Sequence, residues 1–263
     1  MGFNKTETQT SLDQLSLLCK NSNIKINLMG GWAVHFHVNE IFYKREGREY
    51  VGSRDIDLAF PMELDWDLEK LQSCELKLAL ESIKNLGFVG QGFRMYKNFH
   101  YDSGKEISHI QSKDYSTHEL FKMCIDPMVP CIPVSFRSVF GFDPIDEPLL
   151  KFFFNANHKK DISYKEFFIS IPSRELMASM KLNSSNKRVD KIDKRSKDIA
   201  DFFVLVWYSD IDLELIKSKI FSIIEKNTVS NIVKKWDDES ISRAANFINI
   251  NSDIITKVVK EFI

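Results

Sequence analysis

The sequence predicts an α/β protein in which a small mixed β-sheet with flanking helices is followed by a C-terminal helical domain. Apolar stretches of strand length, separated by turn residues, dominate the chain up to residue 171, and helical periodicity continues from Pro172 to the end. A strand-rich part followed by a helical part indicates an α/β core with an appended helical domain. The 263 residues suffice for one large domain or two modest ones. We therefore expect a core domain over residues 1–171 and a helical domain over residues 172–263.

The order of elements follows from local patterns. Ser11 and Gln14 form a capping box that begins a short amphipathic helix over residues 11–20, and an alternating strand over residues 24–29 runs directly into Gly30-Gly31. The next predicted elements are a helix over 32–38, a charged loop over 43–53, a strand over 54–60, a helix over 68–86 ended by Gly87, strands over 93–100 and 107–110 joined by a turn at 102–104, and a strand over 120–126 ended by Pro127. Long helices are predicted near 173–187, 193–208, 212–226 and 251–262.

Composition excludes several classes of protein. With 43% hydrophobic and 28% charged residues, the chain has the balance of a globular protein rather than of a disordered one. The formal net charge of −1 gives no global attraction to nucleic acid, so any such attraction needs a local patch. No apolar run approaches the ~18 residues of a membrane helix, and the four cysteines form no CxxC pair, as is typical of reduced thiols. We therefore expect a cytoplasmic protein that does not contact a membrane.

The first six residues fit the pattern for N-myristoylation at Gly2. The pattern constrains few positions, and a disordered polar start explains the same residues equally well. Modification of Gly2 is therefore left open.

Two segments carry the residues of a candidate phosphate and metal site. Gly30 and Gly31 lack a Cβ atom, so their backbone can approach a triphosphate, and the N-terminus of the following helix offers it free N–H groups. Asp55 and Asp57 lie two apart on a predicted strand, so their carboxylates share one face while the intervening Ile56 faces the core. Carboxylate oxygens together with water and substrate phosphates are the ligands that Mg²⁺ prefers.

Asp126 is the candidate third carboxylate. It stands at the end of an apolar strand, where a buried carboxylate needs a cation or hydrogen-bond donors. The three carboxylates together predict a magnesium site that supports attack of an acceptor hydroxyl on the α-phosphorus of a nucleoside triphosphate, with Asp126 as the base. An alternative is that Asp126 only caps the turn before Pro127. The rival third carboxylates lie in turn-like contexts and are Asp114, Asp143 and Asp146.

A second Asp-x-Asp pair, Asp65-Trp66-Asp67, is interpreted differently. It directly precedes a predicted helix, where acidic side chains are favoured by the helix dipole. We expect this pair to mark a helix start and not a metal site.

The chain resembles known nucleotidyltransferases in two regions. Leu28-Met29-Gly30-Gly31-Trp32-Ala33-Val34, followed by Ser53-Arg54-Asp55-Ile56-Asp57-Leu58, resembles the nucleotidyltransferase superfamily that includes DNA polymerase beta, and Gly-Gly-Trp-Ala is similar to aminoglycoside nucleotidyltransferases. The helix from Pro172 to Leu182 with its Lys181, followed by Arg195-Ser196-Lys197-Asp198-Ile199-Ala200-Asp201, is similar to AbiEii-like toxins of abortive-infection toxin–antitoxin systems.

The resemblance implies roles for specific residues. It implies Gly30, Gly31, Asp55 and Asp57 as nucleotide and metal residues, and it covers about residues 24–60 and 172–205. It further implies that Ser53 supports the phosphates and that Lys181 contacts the triphosphate, while the existence of an antitoxin protein as a partner stays open. Between these two regions only Asp126 matches, and it matches by its position along the chain rather than by a sequence motif.

Charged residues near Lys181 suggest two further roles. Asp198 and Asp201 share a helix face, and we expect them to orient Lys181 or Arg195 in a buried ion-pair network. Residues 181–197 contain seven basic and two acidic residues, a net charge of +5, and the stretch Lys187–Arg195 is a candidate contact for an RNA acceptor. A solvated loop between two helices explains the same stretch.

The predicted function is therefore magnesium-dependent transfer of a nucleoside monophosphate from a nucleoside triphosphate to a hydroxyl acceptor, with RNA as the acceptor in a toxin of the AbiEii-like type. Two alternatives stay open. One is an aminoglycoside-type enzyme acting on a small molecule, and the other is a catalytically silent nucleotide-binding scaffold.

Overall fold

The computed structural model describes residues 5–21, 25–155 and 158–263. The question of Gly2 modification and the predicted start of the first strand at Ile24 lie outside these ranges. Contacts divide the chain into two compact units. The sheet unit consists of Gly52–Ile171 with the described residues up to Trp32, and the helical unit consists of Ala33–Val51 and Pro172–Ile263. The domain boundary after residue 171 stays a prediction, and the two units differ from it in the placement of Ala33–Val51.

The described strands form one mixed sheet, as the sequence predicts. The order along the sheet is β3-β4-β6-β2-β1-β9-β8, with β5 paired to β4 and β7 paired to β6. The pairs β1–β9, β2–β6 and β6–β7 are parallel, and the pairs β1–β2, β3–β4, β4–β5 and β4–β6 are antiparallel. The bounds are β1 (Ile26–Met29), β2 (Ile56–Ala59), β3 (Val89–Gln91), β4 (Arg94–His100), β5 (Glu106–Ile107), β6 (Leu120–Val129), β7 (Ile145–Asp146), β8 (Lys159–Tyr164) and β9 (Phe167–Pro172).

Strand β6 differs from the prediction because Pro127 lies inside it. The antiparallel ladder to β4 reaches Ile125, and the parallel ladder to β7 begins at Met128. Pro127 falls between these two ladders, so its missing N–H removes no hydrogen bond on that side of the strand. The strand therefore continues to Val129, and Asp126 lies within a strand and does not cap a turn.

Many helix ends in the described residues match the predicted ends, and others differ from them. Helix α2 begins at Gly30, but it continues well beyond the predicted residue 38. The helix predicted over 68–86 is broken at Ser73, whose hydroxyl donates to the carbonyls of Glu69 and Lys70 and so ends α3. The bounds are α1 (Lys5–Asn21), α2 (Gly30–Glu46), α3 (Leu68–Gln72), α4 (Glu75–Asn85), α5 (Phe136–Phe140), α6 (Leu150–Phe154), α7 (Arg174–Lys187), α8 (Ile192–Trp207), α9 (Leu213–Ile223), α10 (Lys226–Val233), α11 (Asp238–Ile248) and α12 (Ser252–Lys260).

Helix α8 forms the centre of the C-terminal helices. Its residues 198–206 are all buried, so it is enclosed on every side, and it packs against α7, α9, α11 and α12. Phe202 contacts the rings of Trp236 and Phe262 in this core. None of the helices in the described ranges is both long and apolar enough to cross a membrane.

Candidate active site

The turn between β1 and α2 brings Gly30 against Asp57. Gly30 has a φ of +63°, a conformation that side chains rarely adopt, and it opens the helix directly after the strand. A Cβ atom added to Gly30 would lie 1.8 Å from Oδ2 of Asp57. The carboxylate therefore occupies space that any other residue at position 30 would fill. Gly31 follows as the buried second residue of the helix.

The sheet places the three predicted carboxylates on neighbouring strands. Asp57 on β2 and Asp126 on β6 are paired positions of a parallel ladder, so their side chains project from the same face. Asp55 lies just before β2, one residue outside the observed strand, whereas the predicted strand over residues 54–60 included it. Its Oδ1 accepts a hydrogen bond from the backbone N–H of Cys124 at 3.2 Å, which ties it to β6. Ile56 and Leu58 are 0% and 1% exposed, so the alternation of β2 is confirmed.

Arg94 is a residue of this cluster that the sequence-based prediction missed. It begins β4 and faces Asp126, whose neighbour Ile125 is paired with Met95. The Nε of Arg94 donates to Oδ1 of Asp126 at 2.8 Å and its Nη2 donates to Oδ2 at 2.5 Å. The same Nη2 donates to Oδ2 of Asp55 at 3.3 Å. One guanidinium therefore binds two of the three carboxylates.

The contacts of Arg94 account for the burial of Asp126, which is 3% exposed. A carboxylate this far from water needs a cation or donors, and a bidentate guanidinium supplies both. The hydrogen bonds to Asp126 raise the pKa of Arg94 above its ordinary value, so the group stays charged. Burial, with Asp55 close by, raises the pKa of the Cys124 thiol to about 11. This thiol is therefore protonated at neutral pH and contributes no charge to the cluster.

Two further groups adjoin Asp55 in the sheet unit. Arg54 lies with its Nε 3.5 Å from Oδ1 of Asp55, and its Nη1 is 3.4 Å from Oε1 of the buried Glu7 on α1. Ser53, predicted to support phosphates, is buried in the connection that leads to β2.

The rival carboxylates Asp114, Asp143 and Asp146 are all exposed. Asp67 accepts a hydrogen bond from the N–H of Lys70 at 2.9 Å as the N-cap of α3, which confirms the helix-start interpretation of the second Asp-x-Asp pair.

Lys181 lies in the helical unit and is held by a buried ion-pair network. Its Nζ is 2.6 Å from Oδ2 of Asp201 and 3.3 Å from Oδ1 of Asp198, and all three residues are at least 90% buried. Burial opposes the ionisation of Asp201, but Lys181 and Lys197 more than offset it and lower the pKa of Asp201 to about 2. Tyr50 donates its hydroxyl to Asp201 at 2.5 Å. A triphosphate contact by Lys181 stays a prediction, and such a contact would have to compete with two carboxylates.

The basic stretch Lys187–Arg195 is only partly exposed. Arg188 binds the buried Asp198 at 2.6 Å, and the buried Arg195 lies 3.4 Å from Asp237. The side chains left in solvent are Lys187, Lys191 and Lys194, interleaved with the exposed Asp190 and Asp193. The positive surface is therefore smaller than the sequence composition indicates.

The donor set of the sheet unit suits a hard divalent cation. As it stands, no group of three His, Cys, Asp or Glu side chains in the described ranges is arranged to hold a metal ion. The guanidinium of Arg94 contacts both Asp55 and Asp126. Mg²⁺ needs only one or two carboxylates when water and phosphates complete its shell. Asp57 and Asp126, paired on one face and made of oxygen donors alone, fit that requirement.

Comparisons with known proteins give a structural similarity but no match to a family model or a curated protein. Among solved structures, the chain is similar to an antigenic nucleotidyltransferase-like protein from Paracoccidioides brasiliensis. The two chains share 14% sequence identity with a TM-score of 0.43, over 99% of this chain and 94% of that chain.

Proposed function

We propose that the protein is a magnesium-dependent nucleotidyltransferase that moves a nucleoside monophosphate from a nucleoside triphosphate to a hydroxyl acceptor. The observation that carries this proposal is the pairing of Asp57 with Asp126 beside the Gly30 turn. Paired carboxylates next to a helix N-terminus combine a cation site with a phosphate site, and phosphoryl transfer needs both.

Each residue of the cluster has a part in the proposed reaction. The backbone N–H groups at Gly30 and Gly31 bind the triphosphate, and the carboxylates of Asp55, Asp57 and Asp126 would hold the metal ion. The acceptor oxygen forms a bond to the α-phosphorus while the bond from this phosphorus to the bridging oxygen breaks, and pyrophosphate leaves. Asp126 takes the proton from the acceptor hydroxyl. Magnesium, when bound, neutralises the charge that develops on the leaving oxygen.

RNA is the acceptor that we propose first, in a toxin of the AbiEii-like type with an antitoxin as its protein partner. The support is the resemblance of the segment from Pro172 to Asp201 and the exposed lysines Lys187, Lys191 and Lys194. These lysines offer phosphate contacts that do not depend on sequence. A small hydroxylated molecule is the alternative acceptor.

A catalytically silent nucleotide-binding scaffold is a second candidate, and Arg94 favours it. Its guanidinium neutralises Asp55 and Asp126 without any metal ion. A protein that has lost catalysis would tolerate this internal pairing permanently. An enzyme must release the carboxylates during turnover.

The test is transfer of label from each α-labelled nucleoside triphosphate, with Mg²⁺, to total RNA or to a hydroxylated aminoglycoside. We expect a labelled product of RNA size, and Asp126→Asn should lower the rate by ~10²-fold, the usual loss when a general base is removed. Asp65→Asn is the matched control, because it neutralises an exposed aspartate of the other Asp-x-Asp pair. Label in the aminoglycoside alone would assign the small-molecule activity, and label in neither acceptor would favour the scaffold.

A further inference from the structure

Arg94 bridges two residues of the carboxylate cluster. Its Nη2 lies 2.5 Å from Asp126 and 3.3 Å from Asp55. The carboxylate of Asp126 is almost fully buried, whereas the side chain of Arg94 is 36% exposed. The carboxylate therefore cannot turn to water, but the guanidinium borders solvent and can leave.

We propose that Arg94 is an internal competitor of the divalent metal ion, and that the metal ion binds between Asp55 and Asp126 only after Arg94 has moved away. This inference rests on the proposed function, because it concerns the same carboxylates. It adds that the metal ion binds weakly to the nucleotide-free protein, because Arg94 occupies the carboxylates, and binds tightly when a nucleotide is present.

The competition follows from charge and position. A divalent cation that shares oxygens with Asp55 and Asp126 would lie within a few ångströms of the guanidinium, and two cations at that distance repel strongly where water is scarce. Arg94 follows directly on the hairpin between β3 and β4. In that hairpin Gly92 has a φ of +61° and open space at its Cβ position. The side chain of Arg94 is itself 36% exposed, so solvent rather than packed protein borders part of it.

A triphosphate supplies the new partner for the displaced group. The planar guanidinium donates two parallel hydrogen bonds to phosphate as well as to carboxylate. The nucleotide stabilises the conformation in which Arg94 has moved away from the carboxylates. The metal ion binds only to that conformation. Metal and nucleotide therefore bind with positive coupling, and each raises the affinity of the other by the same factor.

The experiment measures Mn²⁺ binding to the full chain by electron paramagnetic resonance of the free ion, with and without a non-hydrolysable nucleoside triphosphate. Without nucleotide, Arg94→Gln should bind Mn²⁺ about 10-fold more tightly than the unaltered protein, within the usual range of coupling between sites. The gain in Mn²⁺ affinity on adding nucleotide should shrink in this variant. Arg94→Lys keeps the charge without the bidentate geometry and should lie between the two.

Lys122→Gln is the matched control. It removes a positive charge from an exposed position on β6, where Lys122 donates to Gln91 and contacts no carboxylate of the cluster. Its Mn²⁺ affinity should stay within about 2-fold of the unaltered protein, since exposed charges at a distance are screened. An increase equal to that of Arg94→Gln would show a general charge effect and overturn the proposal.

The outcomes separate this inference from the proposed function. If Arg94→Gln and the unaltered protein bind Mn²⁺ equally, and Asp57→Asn abolishes binding in both, the metal site stands and the competition by Arg94 is refuted. If no form of the protein binds Mn²⁺ even with nucleotide, the metal site and the competition both fail. Should Arg94→Gln not fold, the Nε–H nuclear magnetic resonance signal of Arg94 in the unaltered protein gives the answer. The signal should shift when Mg²⁺ and nucleotide are added, and an unchanged signal would refute displacement.

Discussion

At the scale of single residues, the candidate active site depends on the absence of a side chain at Gly30 beside Asp57. Two separate properties of glycine are used there. The backbone has a positive φ, and the absent Cβ leaves room for a carboxylate oxygen. A substitution at this position therefore combines backbone strain with displacement of a proposed metal ligand.

Gly30→Ala should lower the transfer rate by ~10²-fold or more, the scale seen when catalytic groups are misplaced by about 1 Å. The reason is that the new methyl group and Oδ2 of Asp57 cannot occupy the same space. The rate is measured in the label-transfer assay, and stability is measured by thermal unfolding. Gly47→Ala is the control, because Gly47 has a similar φ of +68° with nothing near its Cβ position. Both variants should lose about 1–2 kcal/mol of stability from the left-handed backbone. Equal activities would contradict the role of the Gly30–Asp57 contact.

The sequence predicted the acidic residues of the site but not their cationic partner. Asp55 and Asp57 are recognisable because two residues in one strand share a face, a local property. The pairing of Arg94 with Asp126 spans 32 residues of chain and depends on the register of β4 against β6. No local pattern encodes such a register. The burial of Asp126 nevertheless required a cation or donors, so the need was visible although the partner was not.

At the scale of elements, helices α7 and α8 are joined by the network around Lys181. The buried carboxylate of Asp201 forms ion pairs with Lys181 and Lys197 and accepts a hydrogen bond from the hydroxyl of Tyr50. Removing one member of such a network leaves an uncompensated charge, which costs more than the intact pair contributes. The predicted ends of these two helices lie within one residue of the observed ends, because their apolar faces and caps are local signals.

Asp201→Asn should lower the free energy of unfolding by about 3–5 kcal/mol at neutral pH, since it leaves Lys181 buried with less negative charge. The pKa of Asp201 falls from its ordinary value of 3.8 to about 2 in the folded chain, so ionised Asp201 stabilises the fold above the ordinary value. That contribution is lost as the pH falls through about 2, and the difference between variant and unaltered protein should shrink over this range. Urea titrations followed by circular dichroism at several pH values provide the measurement.

Asp193→Asn is the matched control for this prediction. Asp193 also lies on α8 and pairs with Arg243 at 2.9 Å, but its side chain is 85% exposed. An exposed pair contributes about 0–1 kcal/mol, so this variant should unfold almost like the unaltered protein. A loss as large as that of Asp201→Asn would mean that burial does not set the strength of the network.

The connection between α7 and α8 carries the test of RNA as the acceptor. Changing Lys187, Lys191 and Lys194 together to glutamate should weaken RNA binding and flatten its dependence on salt, because fewer counterions are released. These three lysines are chosen because they are exposed, whereas Arg188 and Arg195 are committed to ion pairs. Filter binding at several salt concentrations measures the slope. The exposed lysines Lys219 on α9, Lys226 on α10 and Lys234 directly after α10, changed in the same way, provide a control of equal charge. Equal effects of the two triple variants would contradict the proposed contact between RNA and this connection.

At the scale of the whole molecule, the sequence predicted the class of fold but not the order of the strands. The mixed α/β sheet and the helical C-terminal part follow from periodicity, which is local. The placement of β2 between β1 and β6, which creates the carboxylate cluster, follows from long-range pairing. The grouping of Ala33–Val51 with the C-terminal helices is equally non-local. It is supported by contacts such as the hydrogen bond from Nη2 of Arg174 to the carbonyl of His37.

Binding of a nucleoside triphosphate with magnesium should stabilise the chain, because it engages the folded site and not the unfolded chain. At ~100 times the dissociation constant the gain is about 2.7 kcal/mol, which for a chain of this length corresponds to a rise of several degrees in the unfolding temperature. Gly30, Asp57 and Asp126 all belong to the sheet unit, so the rise should appear first in the unfolding of that unit. Replacing Trp207 and Trp236 by phenylalanine leaves only tryptophans of the sheet unit, and their fluorescence isolates its transition. EDTA should remove most of the shift, and Asp57→Asn should abolish it while Asp65→Asn keeps it. Absence of a shift with all four nucleotides would contradict nucleotide binding at this site.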